Sequence, residues 1–317
     1  MDYDLDADQE ALRGAVATVL ARHAGPARAK ALSSSEAIDD DLAGALADAG
    51  YLDLLGDPDA GPLAAELVVE WVAAAAGIVP VAARALVGPA VLDGQLPPTM
   101  TVMVEGDRGP VRFAQAEAVL VVGENDARLM RLAPGALEPV ATMYGYPMAR
   151  VSLAGAEVLD SGPAEQARRW WRVGLAAEIA GTMRAAFDLT LAYHKQREQF
   201  GRPIGSFQAL QHRMSQVYVR CEGAAWLARE AAFHRAGGER AAAAAAYAAA
   251  AAGTVCAELH QMTGAIGFTR EYDLHVWTLR LQTLRLELSG AGGHARALAT
   301  ARWVTPRPSS SGAGAAR

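Results

Sequence analysis

The residues from 197 to 208, Arg197-Glu198-Gln199-Phe200-Gly201-Arg202-Pro203-Ile204-Gly205-Ser206-Phe207-Gln208, concentrate groups able to hold an anion. The Arg197 guanidinium stays charged and offers a planar fork of donors suited to a diphosphate. Gln199 and Gln208 add neutral amides, and Phe200 adds an aromatic face. A second stretch, Gln261-Met262-Thr263-Gly264-Ala265-Ile266-Gly267-Phe268-Thr269-Arg270-Glu271-Tyr272, pairs an amide with a glycine cluster. Such a cluster lets backbone N–H groups approach a phosphate or ribose without interference from Cβ. Each group also has a plainer reading. Arg197 could be a surface cation near a helix C-terminus, and Gly264 an ordinary helix C-cap. Phe200 and Phe207 could be core, and Gln208 a first-turn residue.

These groups need elements to position them. A long helix is expected over residues 168–199, broken by Gly201 and by Pro203, which blocks continuation. A second is expected from Phe207 to about Ala236 and a third from Glu239 to Gln261, separated by Gly237-Gly238. The alanine block around Tyr247 has high helix propensity and little bulk, which suits a helix pressed between others. Upstream, residues 8–96 read as helical: Asp8 could cap a first helix and Asp40 a second ending at Gly50. Two more follow, from Leu63 to Ala76 and from Val81 towards Leu92. Between 99 and 160 short apolar runs (102–104, 118–122, 127–132, 148–153) alternate with turn residues. That is the pattern of four to six short strands.

The 317 residues include 52% hydrophobic and only 6% aromatic side chains, so alanine does much of the apolar work. The net charge of −6 argues against nucleic acid as a partner. The acidic start, Met1-Asp2-Tyr3-Asp4, does not suit a secretory signal. Glu66, Glu70 and Pro80 interrupt one apolar segment and alanine dominates the other, so no membrane span is expected. Cys221 and Cys256 are too few for a disulfide framework, which favours a cytoplasmic setting. The seven histidines show no spacing for a metal site, and none is expected.

The two motifs resemble the R-x-x-F-G-x-x-I-x-x-F-Q and Q-x-x-G-G-x-G-F-x-x-E-Y signatures of acyl-CoA dehydrogenases, with Ala265 in place of the second glycine. The resemblance implies a mainly α (α+β) fold. Its parts would be an N-terminal helical domain (1–97), a reduced middle β domain (98–162), a C-terminal four-helix bundle (163–303) and a disordered tail (304–317). It further implies that Arg197, Gln199, Phe200, Gln208, Gln261 and Ala265 contact an FAD held mainly by the neighbouring subunit.

Other family features are missing. The catalytic carboxylate slot counted forward from Gln261 holds Ser289, and the alternative slot counted back from Arg197 holds Trp171. A serine hydroxyl without an adjacent base cannot remove an α-proton. Glu287 lies two residues from the first slot and, on a helix, would face elsewhere. Glu178 reads as a structural or interface carboxylate. Trp170 and Trp171 either line a cavity or anchor the sheet–bundle junction. No Trp-x-Thr motif is present for the flavin ring.

The implied protein is a non-catalytic member of an α2β2 complex, like the short subunits of heteromeric actinobacterial steroid-CoA dehydrogenases of cholesterol catabolism. A full-length catalytic dehydrogenase subunit would complete the FAD site and bind the acyl-CoA, and an electron-transfer flavoprotein would take the electrons. The alternatives are a flavin-free structural homologue and a self-sufficient dehydrogenase using Glu287.

Overall fold

The computed structural model describes residues 5–35 and 37–304. The expected disordered tail falls outside them, apart from Val304. Five helices come first: α1 (Ala7–His23), α2 (Pro26–Ser35), α3 (Asp40–Asp48), α4 (Gly61–Ala74) and the short α5 (Gly88–Val91), which continues a π-helical turn, Ala83–Val87. The caps differ by a residue or two from expectation. Asp6, not Asp8, accepts from Gln9 N, and Gln9 Oε1 accepts in return from Asp6 N. Asp39, not Asp40, caps α3, and its buried carboxylate also pairs with Arg28. The Arg28 guanidinium on one side and the Leu42 N–H on the other make Asp39 the better anchor.

Seven strands follow, one more than the upper expectation: β1 (Met100–Val104), β2 (Val111–Arg112), β3 (Ala118–Val122), β4 (Asp126–Arg131), β5 (Leu137–Pro139), β6 (Met148–Val151) and β7 (Glu157–Pro163). They form a four-stranded sheet ordered β1-β3-β4-β7 and a three-stranded sheet ordered β2-β6-β5. Only the β1–β3 pairing is parallel. Met103, Val119, Val121 and Met130 of the first sheet make a small separate core with Val111 and Val151 of the second.

The remainder is helical: α6 (Ala164–Gln196), α7 (Gln208–Phe233), α8 (Gly238–Thr263), α9 (Leu274–Leu284) and α10 (Gly290–Trp303). The helices α6, α7 and α8 pack on one another, with α10 along α8 and α9 across α6. By length and composition α8 and the turn after it could cross a membrane. Its alanines, among them Ala241, Ala244, Ala248 and Ala252, are instead buried in the bundle. The N-terminal helices are tied to the bundle by polar bonds as well: Trp277 Nε1 donates to Ala74 O at 3.0 Å, and Arg280 to Gly77 O at 3.2 Å.

The α4–α6 contact is close. A Cβ on Gly181 would lie 2.0 Å from Glu70 O, inside the backbone of α4. Beside it sits an unusual acid pair. Glu70 accepts both bonds of a fork from Arg229 of α7, at 2.8 and 3.1 Å. Glu66, one turn away, is wholly buried with neither carboxyl oxygen bonded. Burial, then Glu70, pushes Glu66 well above the ordinary carboxylate range. The folded protein thus holds a proton that the unfolded chain releases. Glu66 carries its full stabilising weight below the unfolded carboxylate pKa and loses it as pH rises towards its folded value. We predict that unfolding free energy, read from urea titrations at pH 5, 7 and 8.5, declines with a slope of up to about 1.4 kcal/mol per pH unit. Glu66→Gln should flatten that decline, and an unchanged slope would contradict it. Gly181→Ala should destabilise by about 1–3 kcal/mol or more through overpacking, in the same assay.

Candidate functional site

Two constellations lie at different places along α6. The first is the end of the bundle where α6 stops. The helix ends at Gln196, three residues earlier than expected, and Arg197 is its C-cap. Residues 198–203 then form a hairpin, β8 (Glu198–Gln199) with β9 (Arg202–Pro203), in place of a simple break. Phe200 and Gly201 both take positive φ, 55° and 78°. A two-residue loop with this backbone matches the twist of paired strands. It also leaves Phe200 91% exposed. Gln208 opens α7 after a 3-10 turn, one residue later than the expected start.

Several contacts bring the two motifs together. His194, in the last turn of α6, is buried and hydrogen-bonds Met262 O at 3.1 Å. Tyr272 donates to Leu189 O at 2.8 Å and packs against Tyr193. Gln261 therefore lies in the last turn of α8, next to the residue bonded to the end of α6, and Ala265 lies in the following 3-10 turn, Gly264–Phe268. Arg197, Gln199, Phe200, Gln208, Gln261 and Ala265 are all exposed. The Arg197 N–H bonds Tyr193 O and its carbonyl accepts from Ile204 N, which fixes the backbone and leaves the guanidinium facing solvent. Gln199 spends one amide proton on Glu198 O. Arg202, absent from the expected set, adds a second exposed guanidinium. It lies 4.1 Å from the Phe207 ring centre, while Phe200 meets that ring edge-on at 6.1 Å. The sequence carries Arg202 inside the motif, yet nothing in the spacing foretells the stacking that holds it.

The donor set (guanidinium groups, amides and close backbone) fits a diphosphate and its sugar, so it suits the outer half of an FAD. All of it faces away from this chain's own interior.

The second constellation surrounds a cavity of about 590 Å³ where the sheets meet the bundle. Both slots that lack a carboxylate, Trp171 and Ser289, line it. So do Glu178 and Glu287. Glu287 does not face elsewhere, as helical spacing would have it, because the backbone leaves helical geometry, with Leu288 at φ 50° and Ser289 at φ 68°. Trp171 takes both of its expected roles, wall and anchor: it is buried and donates to Glu287 Oε2 at 3.0 Å.

Arg112, in the two-residue β2, organises this chamber. It donates to Glu178 at 3.0 and 3.3 Å and to Glu287 through Nε. Its own carbonyl accepts from Thr101 Oγ1 at 2.6 Å. The guanidinium lies over Tyr146, 4.8 Å from the ring centre, and Arg280 lies 5.0 Å from the same centre. Burial works against the Arg112 charge, yet Glu178 and Glu287 hold it more firmly protonated than usual. Burial lifts Glu178 above the ordinary carboxylate range, and Arg112 partly offsets this. Glu178 and Glu287 are thus committed to a guanidinium, and neither is a free base.

The histidines divide. His194 and His260 are bonded, and His294 is buried, with burial and then Arg172 lowering it to about 4. No group of three metal-ligating side chains occurs among the described residues.

Removing one partner of a buried ion cluster strands the others. Arg112→Met should therefore cost about 3–5 kcal/mol in urea unfolding. The triple change Arg112→Met, Glu178→Met, Glu287→Gln should recover most of that loss. A near-neutral single variant would show that the cluster is not structural.

Residues 164–300 match the family profile described as acyl-CoA dehydrogenase, C-terminal domain. Over 94% of its length the chain is 32% identical to the acyl-CoA dehydrogenase IpdE2 of Mycobacterium tuberculosis and covers 98% of that protein. Its fold is similar to that in the crystal structure of the ChsE4-ChsE5 complex from Mycobacterium tuberculosis. There the TM-score is 0.74 with 22% identity, covering 97% of this chain and 100% of that one. It is also similar to a Tcur3481-Tcur3483 steroid ACAD variant, at a TM-score of 0.75 and 24% identity, over 93% and 97% of the two chains. The end-to-end match to IpdE2 carries the relationship and the solved structures carry the fold: this chain belongs to the acyl-CoA dehydrogenase family.

Proposed function

We propose that this chain is the non-catalytic subunit of an α2β2, FAD-dependent acyl-CoA dehydrogenase, completing a cofactor site seated mainly in a full-length catalytic partner. One observation supports this above the others. Arg197 is 26 residues beyond Trp171 on or just past the same helix, about 40 Å at 1.5 Å per residue. A single dinucleotide cannot reach from one to the other. Donors at the hairpin end therefore have no use in the chain's own chamber, and they suit a ligand that another subunit brings.

In that setting Arg197 would neutralise the diphosphate, with amides from Gln199, Gln208 and Gln261 adding donors. The backbone near Ala265 would approach closely, and Phe200 would cover an apolar part of the cofactor. FAD, when bound, supplies the acceptor for the hydride leaving the substrate's β-carbon. The carboxylates beside the Trp171 and Ser289 slots, Glu178 and Glu287, are held by Arg112, so the base that takes the α-proton falls to the partner. A substrate with a bulky acyl group, of the steroid side-chain kind, fits an assembly in which only one chamber of each pair works. One of the similar structures is described as a steroid ACAD. Electrons would leave for an electron-transfer flavoprotein. The setting would be cytoplasmic, in keeping with two cysteines that are buried and unpaired.

Expressed alone, the chain should be colourless and poorly soluble; with its catalytic partner it should give a stable yellow complex. In that complex Arg197→Ala should weaken FAD retention by about 1.5–3 kcal/mol, on the order of tenfold to a hundredfold in Kd, measured by fluorescence of released flavin. Yellow protein from solo expression, or retention untouched by Arg197→Ala, would contradict the proposal.

A further inference from the structure

The turn Gly264–Phe268, which carries Ala265, rests on His260 in the last turn of α8. The imidazole is half-buried and meets three neighbours. Its Nε2 lies 3.0 Å from Thr278 Oγ1 of α9. The Thr278 hydroxyl gives its own proton to Leu274 O at 3.2 Å, so its oxygen is left to accept and His260 donates through Nε2. One face of the ring meets Phe268, with centroids 4.8 Å apart and planes 31° from parallel. Phe268 is 74% exposed, so this stack is its main support.

The third neighbour is Gly267. A Cβ there would come within 3.6 Å of His260 Nδ1 and 2.0 Å of Thr263 Oγ1. Glycine is needed at 267 because the end of α8 lies directly beneath it; its φ is not positive. Burial pushes the His260 imidazole below its usual range, and the Gly267 backbone opposes this only in part. The ring is therefore neutral at pH 7, with its one proton on the Thr278 side. Two backbone bonds frame the same turn: Gly264 N–H donates to His260 O, and Thr269 N–H to Ile266 O at 3.1 Å. Gly264, Ala265 and Phe268 face outward while Gly267 is buried.

We propose that His260 is a positioning residue for the cofactor. Through Phe268 and Gly267 it fixes the backbone around Ala265 where that backbone can approach the FAD, and Thr278 fixes the orientation of His260. This rests on the reading that the turn faces a flavin held by the partner. His260 acts through the turn and not on the cofactor itself. A short exposed turn held in its binding conformation before the ligand arrives loses less freedom on binding.

The test uses the complex with the catalytic partner. FAD retention is measured by fluorescence of released flavin, and local order by amide hydrogen exchange. His260→Ala should weaken retention about tenfold. It should also speed exchange at residues 264–269 while α6 and α7 stay protected. His260→Phe, which keeps a ring against Phe268, should recover most of the affinity. Thr278→Val should match His260→Phe, and the two together should weaken retention no further, because both remove the same bond.

Retention unchanged by His260→Ala, in a complex where Arg197→Ala does weaken it, would overturn this inference and leave the partner reading intact. Additive effects of His260→Phe and Thr278→Val, or exchange that rises throughout the bundle, would overturn it as well, by making His260 an ordinary packing residue. A colourless wild-type complex would sink the partner reading and this inference with it.

Discussion

One guanidinium holds this molecule's parts in register. Arg112 comes from a strand of only two residues, Glu178 from the first half of the longest helix, and Glu287 from the turn before the last helix. Sheet, bundle and terminal loop therefore meet at a single buried cation. Charges so buried are tolerated only when each finds its partners, and here every carboxylate oxygen facing Arg112 or Trp171 is bonded. The arrangement has a chemical consequence. A carboxylate can act as a base only when its lone pairs are available to a substrate proton. Here Glu178 and Glu287 are bound to Arg112, and the two family slots hold a serine and an indole. The interaction that stabilises the junction also occupies these two carboxylates.

The other constraint is length. Because α6 runs for 33 residues, features near its start and features at its end are separated by most of the bundle. The hairpin that closes it turns Arg197, Phe200 and Arg202 outward, and the His194–Met262 bond brings the end of α8 alongside. The cations and amides there keep their hydration, while the exposed Phe200 ring adds nothing to the core.

Much of this was legible in the sequence, and unevenly so. The long helices showed through alanine content and periodicity, and Gly201 with Pro203 marked the end of α6 to within three residues. Composition could not show that residues 198–203 pair as strands, since that rests on positive φ at a phenylalanine. The strands β2, β5 and β7 escaped notice because two are very short and the third is mostly exposed, so none carries an apolar run. Arg112 was invisible for the same reason. Its importance comes from partners 66 and 175 positions away, and no local pattern encodes those contacts. Ser289 and Trp171 were found by counting from the motifs, and both line one cavity. Glu287 was misjudged because helical periodicity was extended across a backbone that turns left-handed at Leu288.

The claim that matters most is that this chain lends its outward donors to a cofactor held by another and holds none of its own. Native mass spectrometry of the complex made with its catalytic partner tests it directly, by counting chains and flavins together. The account predicts two copies of each subunit and two flavins. Four flavins in that assembly, or a flavin travelling with this chain after the partner is dissociated, would contradict it.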